Sequence, residues 1–266
     1  MDMPFNRQLL RLRRDRAAEH LSEFDFLFAE GASRLLERLE IVKRGFPLAL
    51  DLGGHDGFLG RHLAGRNRIE NLFSCDLSPK MAGRVGRLAF VADEEALPIR
   101  EASLDLVISC LSLHWVNDLP GALVQIRRLL RPDGLFIASL LGGRTLNELR
   151  QVFLEAESEI LNGAGPRVAP FADVRDLGGL MQRAGFIEPV VDSETITVSY
   201  ADPLRLIADL RGMGESAVLN ARRPGLSRRD VFFRAASLYK ERFAGPDGRI
   251  PASFEILTVT GWVAPG

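Results

Sequence analysis

Residues 48–57 read Leu-Ala-Leu-Asp-Leu-Gly-Gly-His-Asp-Gly, and this run constrains the chain more than any other. The apolar residues up to Asp51 make a short buried strand. Gly53, Gly54 and Gly57 turn it into a helix-like stretch at 58–63. Glycine adopts positive φ at little cost and lets a ligand come close to the backbone, and a helix start offers unpaired N–H groups. Strand, tight turn and helix together make a pocket of the nucleotide-binding type. Asp51 ends the strand, and a carboxylate there repels phosphate. It suits a ligand that carries positive charge and hydroxyls.

The rest of the chain supplies more strands of the same kind. Residues 47–51, 71–76, 90–92, 104–110 and 135–140 read as strands one to five, and Leu106, Val107 and Ile108 form an unbroken apolar run in the fourth. Apolar runs without alternation, separated by helices, predict a parallel sheet covered on both faces. Before them, residues 5–21 and 24–39 read as helices. Leu9, Leu10, Leu12, Ala17 and Leu21 form the apolar face of the first, with its arginines elsewhere. Leu27, Phe28, Leu35, Leu36 and Leu39 do so in the second. Pro132-Asp133-Gly134 is a turn feeding the fifth strand. Residues 145–161 predict a helix capped by Thr145, with Glu148 at the capping-box position. A Gly/Pro loop spans 162–170, and a helix at 173–184 ends at Gly185. A half-exposed strand follows at 194–200, then helices at 203–210 and 228–243 and a last strand at 254–263. Gly212-Met213-Gly214 reads as a flexible joint inside that helical insertion.

The chain has 266 residues, 26% of them charged, and a net charge of −1. That balance argues against a general nucleic-acid binder, which would be basic overall. Its length fits one α/β domain with added helices. Cys75 and Cys110 form no CxxC pair and point to a reduced, intracellular setting. No apolar run approaches the ~20 residues of a membrane span. The N-terminal arginines Arg11, Arg13, Arg14 and Arg16 are interleaved with Asp15, Glu19 and Glu23. Transit peptides avoid such acids, so this segment is expected to be part of the mature protein.

These elements and their motifs resemble the class I S-adenosylmethionine-dependent methyltransferases over roughly residues 40–264. Asp51-Leu52-Gly53-x-x-x-Gly57 matches the glycine loop, and Asp76 stands at the end of the second strand. Ala92-Asp93-Glu94-Glu95-Ala96-Leu97-Pro98 is similar to the D-A-E-x-L-P segment. Asp105-Leu106-Val107-Ile108-Ser109 leads into Leu113-His114-Trp115-Val116, and Arg131-Pro132-Asp133-Gly134 completes the set. Within this superfamily, the run 111–120 and Gly212-Met213-Gly214-Glu215-Ser216 resemble the mitochondrial complex I assembly factor five family and its bacterial relatives. The malonyl-carrier-protein methyltransferases of biotin synthesis are next, through Pro170-Phe171 and Ala184-Gly185-Phe186.

The resemblance implies a Rossmann-like fold: a mostly parallel seven-stranded sheet with helices on both faces, N-terminal helices, and a helical insertion before the last strand. It implies an N-terminal helical cap at 1–40, a cofactor-binding core at 41–201, a lid at 202–245, and the strand that completes the sheet at 246–266. The implied cofactor is S-adenosylmethionine, held by Asp51, Gly53, Gly54, His55, Gly57, Asp76, Leu77, Asp93, Glu94 and Ser109. Asp76 would take the ribose hydroxyls and Asp93 the adenine edge. His114, Trp115, Met213 and Glu215 would line the substrate pocket. His114, whose intrinsic pKa lies near neutral, could serve there as a general base.

His55 departs from the family pattern, which has glycine in the middle of the loop. His55 and His114, with Asp51 or Asp56, could in principle face each other as an iron triad, but no metal is expected. The resemblance implies a protein partner, a complex I subunit modified by arginine hydroxylation or by methyl transfer. The alternatives are a small carboxylate acceptor of the malonyl type, or a non-catalytic assembly module that keeps the fold. No nucleic acid and no integral membrane segment is expected. The setting would be bacterial cytoplasm, or the mitochondrial matrix in a eukaryote. Arg222, Arg223, Arg228 and Arg229 read as a solvated basic face.

Overall fold

The unbroken apolar runs become the middle of a single sheet. In the computed structural model, residues 3–63, 69–161, 163–221 and 228–266 are described. Asn162, Arg222 and Arg223, singled out above, lie outside them. The strands are β1 (Phe46–Leu52), β2 (Ile69–Asp76), β3 (Ala89–Val91), β4 (Leu104–Cys110), β5 (Leu130–Leu141), β6 (Ile187–Tyr200) and β7 (Ile250–Trp262). They lie in the order β3-β2-β1-β4-β5-β7-β6. Pairing is parallel from β3 across to β5. β7 runs antiparallel between β5 and β6. The chain goes outward from β1 to β3 and then returns to place β4 on the other side of β1. The crevice beyond the carboxyl ends of β1 and β4 is therefore the switch point where such sheets bind ligands.

The helices are α1 (Arg7–Ala17), α2 (Phe26–Ile41), α3 (Phe58–Leu63), α4 (Pro79–Val85), α5 (Leu119–Leu129), α6 (Asn147–Leu161), α7 (Val174–Arg183), α8 (Pro203–Gly212) and α9 (Arg229–Phe243). Successive residues of a strand point to opposite faces, and both faces are covered. Ala49, Leu106, Ile108 and Ile137 pack with Leu35 of α2, Val152 of α6 and Leu238 of α9. Leu50, Val107, Phe136 and Val259 pack with Leu123 and Ile126 of α5 and Leu177 of α7. Each of the Leu, Ile, Val and Phe side chains contributes roughly 1.5–3 kcal/mol by leaving water.

Four local readings are corrected. The buried stripe of α1 is Leu10, Arg14 and Ala17, while Leu12 is half exposed, so one arginine lies on the inner face. The helix read from Thr145 begins at Asn147. Thr145 Oγ1 instead donates to the Glu255 carbonyl and accepts from its N–H, and Glu148 accepts from Ser253 N and Oγ. Both capping groups are claimed by β7. The turn at Pro132-Asp133-Gly134 is absorbed as an irregularity in β5, between the pairs Leu104–Leu130 and Leu106–Leu135, with Asp133 at φ 61°. The Gly212–Gly214 joint is packed. A Cβ at Gly212 would come within 2.4 Å of the Phe24 ring, and Met213 is fully buried.

Candidate functional site

The loops after β1, β2 and β4 meet at the switch point. After β1 the backbone turns at Gly53 (φ 67°), His55 (φ 50°) and Gly57 (φ 82°). A side chain at Gly53 would collide with Ser112 Oγ at 2.0 Å, and one at Gly54 would meet Ser74 Oγ at 2.1 Å, so both positions need glycine. Asp51 is fully buried. Among the described residues neither of its carboxylate oxygens has a hydrogen-bond partner. Burial, then the charges of Asp76 and Asp56, push its carboxyl up to about 7. A buried carboxylate without a partner is costly, and a cationic ligand group would satisfy it.

Asp76 ends β2 and accepts three N–H bonds. Ser78 N donates to Oδ1 at 2.7 Å, and His55 N and Arg14 Nη1 reach Oδ2 at 3.1 and 3.2 Å. The His55 ring turns onto Phe28, with ring centroids 4.5 Å apart. Its Nε2 lies 3.2 Å from the Cys110 carbonyl, which assigns the proton to Nε2. Burial and the charge of Arg14 lower its pKa, so the ring is neutral. Ser109 Oγ straps β4 to β1 by donating to the Leu52 carbonyl at 2.7 Å. Leu77 packs at the edge of a small cluster containing Phe5, Leu10 and Trp115.

Arg7 and Arg14, which the sequence reading left out of the site, organise its acidic side. Arg14 is fully buried; besides Asp76 it donates to Glu94 Oε1 at 3.2 Å and to Ser112 Oγ at 2.9 Å. Arg7 donates to Asp93 Oδ1 at 2.6 Å, to Glu94 Oε2, and to the Trp115 carbonyl at 3.2 Å. Burial alone would raise the Glu94 pKa, but Arg7 and Arg14 override it and hold the carboxyl at about 2. Burial also works against the charge of Arg14, yet Asp76, Glu94 and Glu215 outweigh it and raise its pKa.

A second centre adjoins the first. Glu215 Oε2 accepts from Trp115 Nε1 at 2.6 Å and His114 Nε2 at 3.0 Å. Its Oε1 is buried with no partner among the described residues. Burial would raise its pKa; the hydrogen bond and charge of His114, with Arg14, bring it below the ordinary value. A cavity of about 50 Å3 opens here, lined by Trp115, Phe171, Leu27, Leu141 and Glu215 among others. Phe171 sits edge-on to Trp115 at 5.3 Å. Of the four residues expected to line the substrate pocket, Trp115 and Glu215 line this cavity. His114 stands behind Glu215, and Met213 lies in the core beneath α8. Both His114 nitrogens face protein groups, since Leu141 N lies 3.5 Å from Nδ1. General-base action would require one of these contacts to break.

Among the described residues, no three His, Cys, Asp or Glu side chains converge in a metal-holding group, and His55 and His114 bind different partners. No described helix is long and apolar enough to cross a membrane.

A methyltransferase-domain family profile matches residues 50–138. Across 97% of its length the chain is 42% identical to arginine-hydroxylase NDUFAF5, mitochondrial, of Danio rerio, covering 82% of that protein. It is 37% identical to a malonyl-acyl-carrier-protein O-methyltransferase of Halorhodospira halophila over 97% of the chain and 88% of the relative. Among solved structures, the YcgJ protein of Bacillus subtilis superposes with a TM-score of 0.58 at 12% identity, covering 87% of this chain and 98% of that one. Phosphoethanolamine N-methyltransferase 2 of Haemonchus contortus, solved with S-adenosyl-L-methionine, gives 0.58 at 16% identity, covering 97% and 60%. At these identities the likeness is one of fold.

Proposed function

We propose a function from one premise: the chain belongs to the methyltransferase-fold family that includes the arginine-hydroxylase NDUFAF5 proteins. On this reading it is an enzyme that binds S-adenosylmethionine and modifies an arginine side chain of a protein partner, a complex I subunit. Residues 1–40 form a cap, 41–201 with 246–266 the core, and 202–245 a lid over the acceptor. The cofactor fits the turn after β1, because the Asp51 oxygens, without a partner among the described residues, suit its ammonium group. Gly53, Gly54, His55 and Gly57 would pass its amino-acid end, Asp76 and Leu77 its ribose, and Asp93 and Glu94 its adenine. Ser109 would hold the β1–β4 crevice in shape. When bound, the cofactor supplies an electrophilic methyl group.

The observation that carries the acceptor is Glu215, a buried anionic carboxylate whose Oε1 has no partner among the described residues, beside a cavity walled by Trp115 and Phe171. Flat aromatic walls and one free anionic oxygen favour a planar cation. A cavity of about 50 Å3 exceeds the ~10–15 Å3 that a single water needs and so has room for a small planar group. His114 and Trp115 hold Glu215 in place. A malonyl carboxylate would be repelled by this charge, and Arg167, which also lines the cavity, is paired with Glu157.

Calorimetric titration with an arginine peptide and its citrulline counterpart tests the acceptor. The arginine peptide binds and the neutral one does not, and Glu215→Gln weakens binding by about tenfold or more, since a hydrogen bond to a charged group is worth ~1.5–3 kcal/mol. Equal binding of both peptides refutes the assignment. In a deletion strain, the partner's arginine lacks the mass of one oxygen or of one methylene group. A biotin-rescued growth defect with an unchanged subunit would instead favour the malonyl-carrier reading.

A further inference from the structure

We propose that α1 is a displaceable occupant of the cofactor site, with Arg14 and Arg7 standing where the ribose and adenine edge would bind. The proposal rests on the cofactor assignment above, because it concerns the same acids. An ionised carboxylate offers about four acceptor positions. Asp76 already receives N–H groups from His55, Ser78 and Arg14. A ribose diol needs two positions, so Arg14 and the diol compete. Asp93 and Glu94 are held in the same way by Arg7. Arg14 is fully enclosed, so it has no space to swing aside while α1 stays docked.

The anchorage of α1 is suited to release. Leu10 belongs to a small cluster with Phe5, Trp115, Val218 and Leu219, separate from the two clusters that flank the sheet. At its C-terminal end Ala17 reaches the edge of the larger cluster, and the remaining ties are polar. Asp15 accepts from Ser78 Oγ and Lys80 N, and Asn6 N donates to the Val218 carbonyl. A segment with few buried apolar residues opens locally at lower cost than the core, and the acids that Arg7 and Arg14 give up are taken over by the cofactor's own donors. Phe5, just ahead of α1, stacks edge-on against Trp115 at 5.3 Å, and Arg7 holds the Trp115 carbonyl. Undocking α1 therefore loosens the acceptor cavity as well as uncovering the cofactor acids.

The test ties the turn that closes α1 to α4, outside the site. Glu19 and Lys80 are exposed and approach to 4.0 Å, while Cys75 and Cys110 are buried. The Glu19→Cys/Lys80→Cys protein is joined by a short methanethiosulfonate linker that thiol releases. S-Adenosylmethionine is titrated by calorimetry before linking, after linking and after release. The linked protein binds at least tenfold more weakly than the same protein unlinked, and release restores the affinity. Equal affinity in all three states overturns the proposal.

Hydrogen exchange of the unmodified protein gives a second readout: residues 7–17 lose protection when the cofactor is added. Unchanged or increased protection there overturns it too. Arg14→Met binds the cofactor several-fold more tightly; weaker binding would make Arg14 a cofactor ligand and end the proposal. If the unlinked protein gives no binding heat at all, the cofactor assignment itself fails and the proposal falls with it.

Discussion

Replacing Arg14 by Met keeps most of the aliphatic stem and deletes a charge that sits among Asp76, Glu94 and Ser112. Glu94 gives the scale. Its carboxyl is held at about 2 against an ordinary value of 4.5, a displacement worth about 3–4 kcal/mol at ~1.4 kcal/mol per unit. Arg7 and Arg14 share that effect, so the substitution forfeits about half of it and also leaves Asp76 without its cation. Breaking a buried pair from one side costs about 3–5 kcal/mol. In a chain of this length 1 kcal/mol moves Tm by roughly 2–4 °C, so Arg14→Met should lower Tm by about 10 °C at pH 7.

The sign with pH follows from the direction of the Glu94 displacement. Its contribution is full above pH 4.5 and disappears as pH falls through about 2. The gap between wild type and variant therefore narrows from pH 7 to pH 3. Thermal unfolding followed by circular dichroism reads both effects. Adding Asp76→Asn to the variant removes the carboxylate left without its cation and recovers several degrees. A single variant within about 3 °C of wild type, or a double variant no more stable than the single, would refute the electrostatic account of α1.

Asp51→Asn separates stability from binding. The Asp51 pKa is raised from 3.8 to about 7, so its contribution to stability is lost as pH rises through that range. The Asn variant should be more stable than wild type by up to about 4 kcal/mol at pH 8, at ~1.4 kcal/mol per unit, and should lose S-adenosylmethionine binding. Retained binding in calorimetry would remove Asp51 from the cofactor site. Gly212→Ala should cost about 1–3 kcal/mol by pressing a methyl group into the Phe24 ring, and an unchanged urea midpoint would show the joint to be loose. His55→Gly relieves backbone strain of ~1–2 kcal/mol at φ 50° but empties the space beside Phe28. A net destabilisation is expected in the same urea assay, and a gain would show that the ring contributes little.

The sheet was legible because Leu106, Val107 and Ile108 are all buried, and only a strand covered on both faces has an unbroken apolar run. The turn at Gly53 was legible because its geometry is local. Arg14 was not. One arginine among many in residues 7–17 carries no local mark of its partners, which lie 62 and 80 residues away. The spacing of Leu10, Arg14 and Ala17 along one face was the available signal. The capping reading at Thr145 failed for a similar reason. Its sequence pattern is sound, but Ser253 and Glu255 supply better partners from a strand more than a hundred residues later. Glu215 was singled out by resemblance and lines the cavity beside Trp115, while its oxygen without a partner among the described residues is visible only once Trp115 and His114 are in place.

The antiparallel strand β7 fills the gap between β5 and β6, and it is made after both. Translation from Leu141 to Ile250 takes roughly 5–20 s at 5–20 residues per second. Throughout that interval β5 presents an unpaired edge rich in Leu, Ile and Phe, and β6 has no sheet to join. Such edges recruit other strands. The nascent protein therefore has a defined window of vulnerability to aggregation, and a chaperone that shields residues 135–141 would raise its yield most during that window.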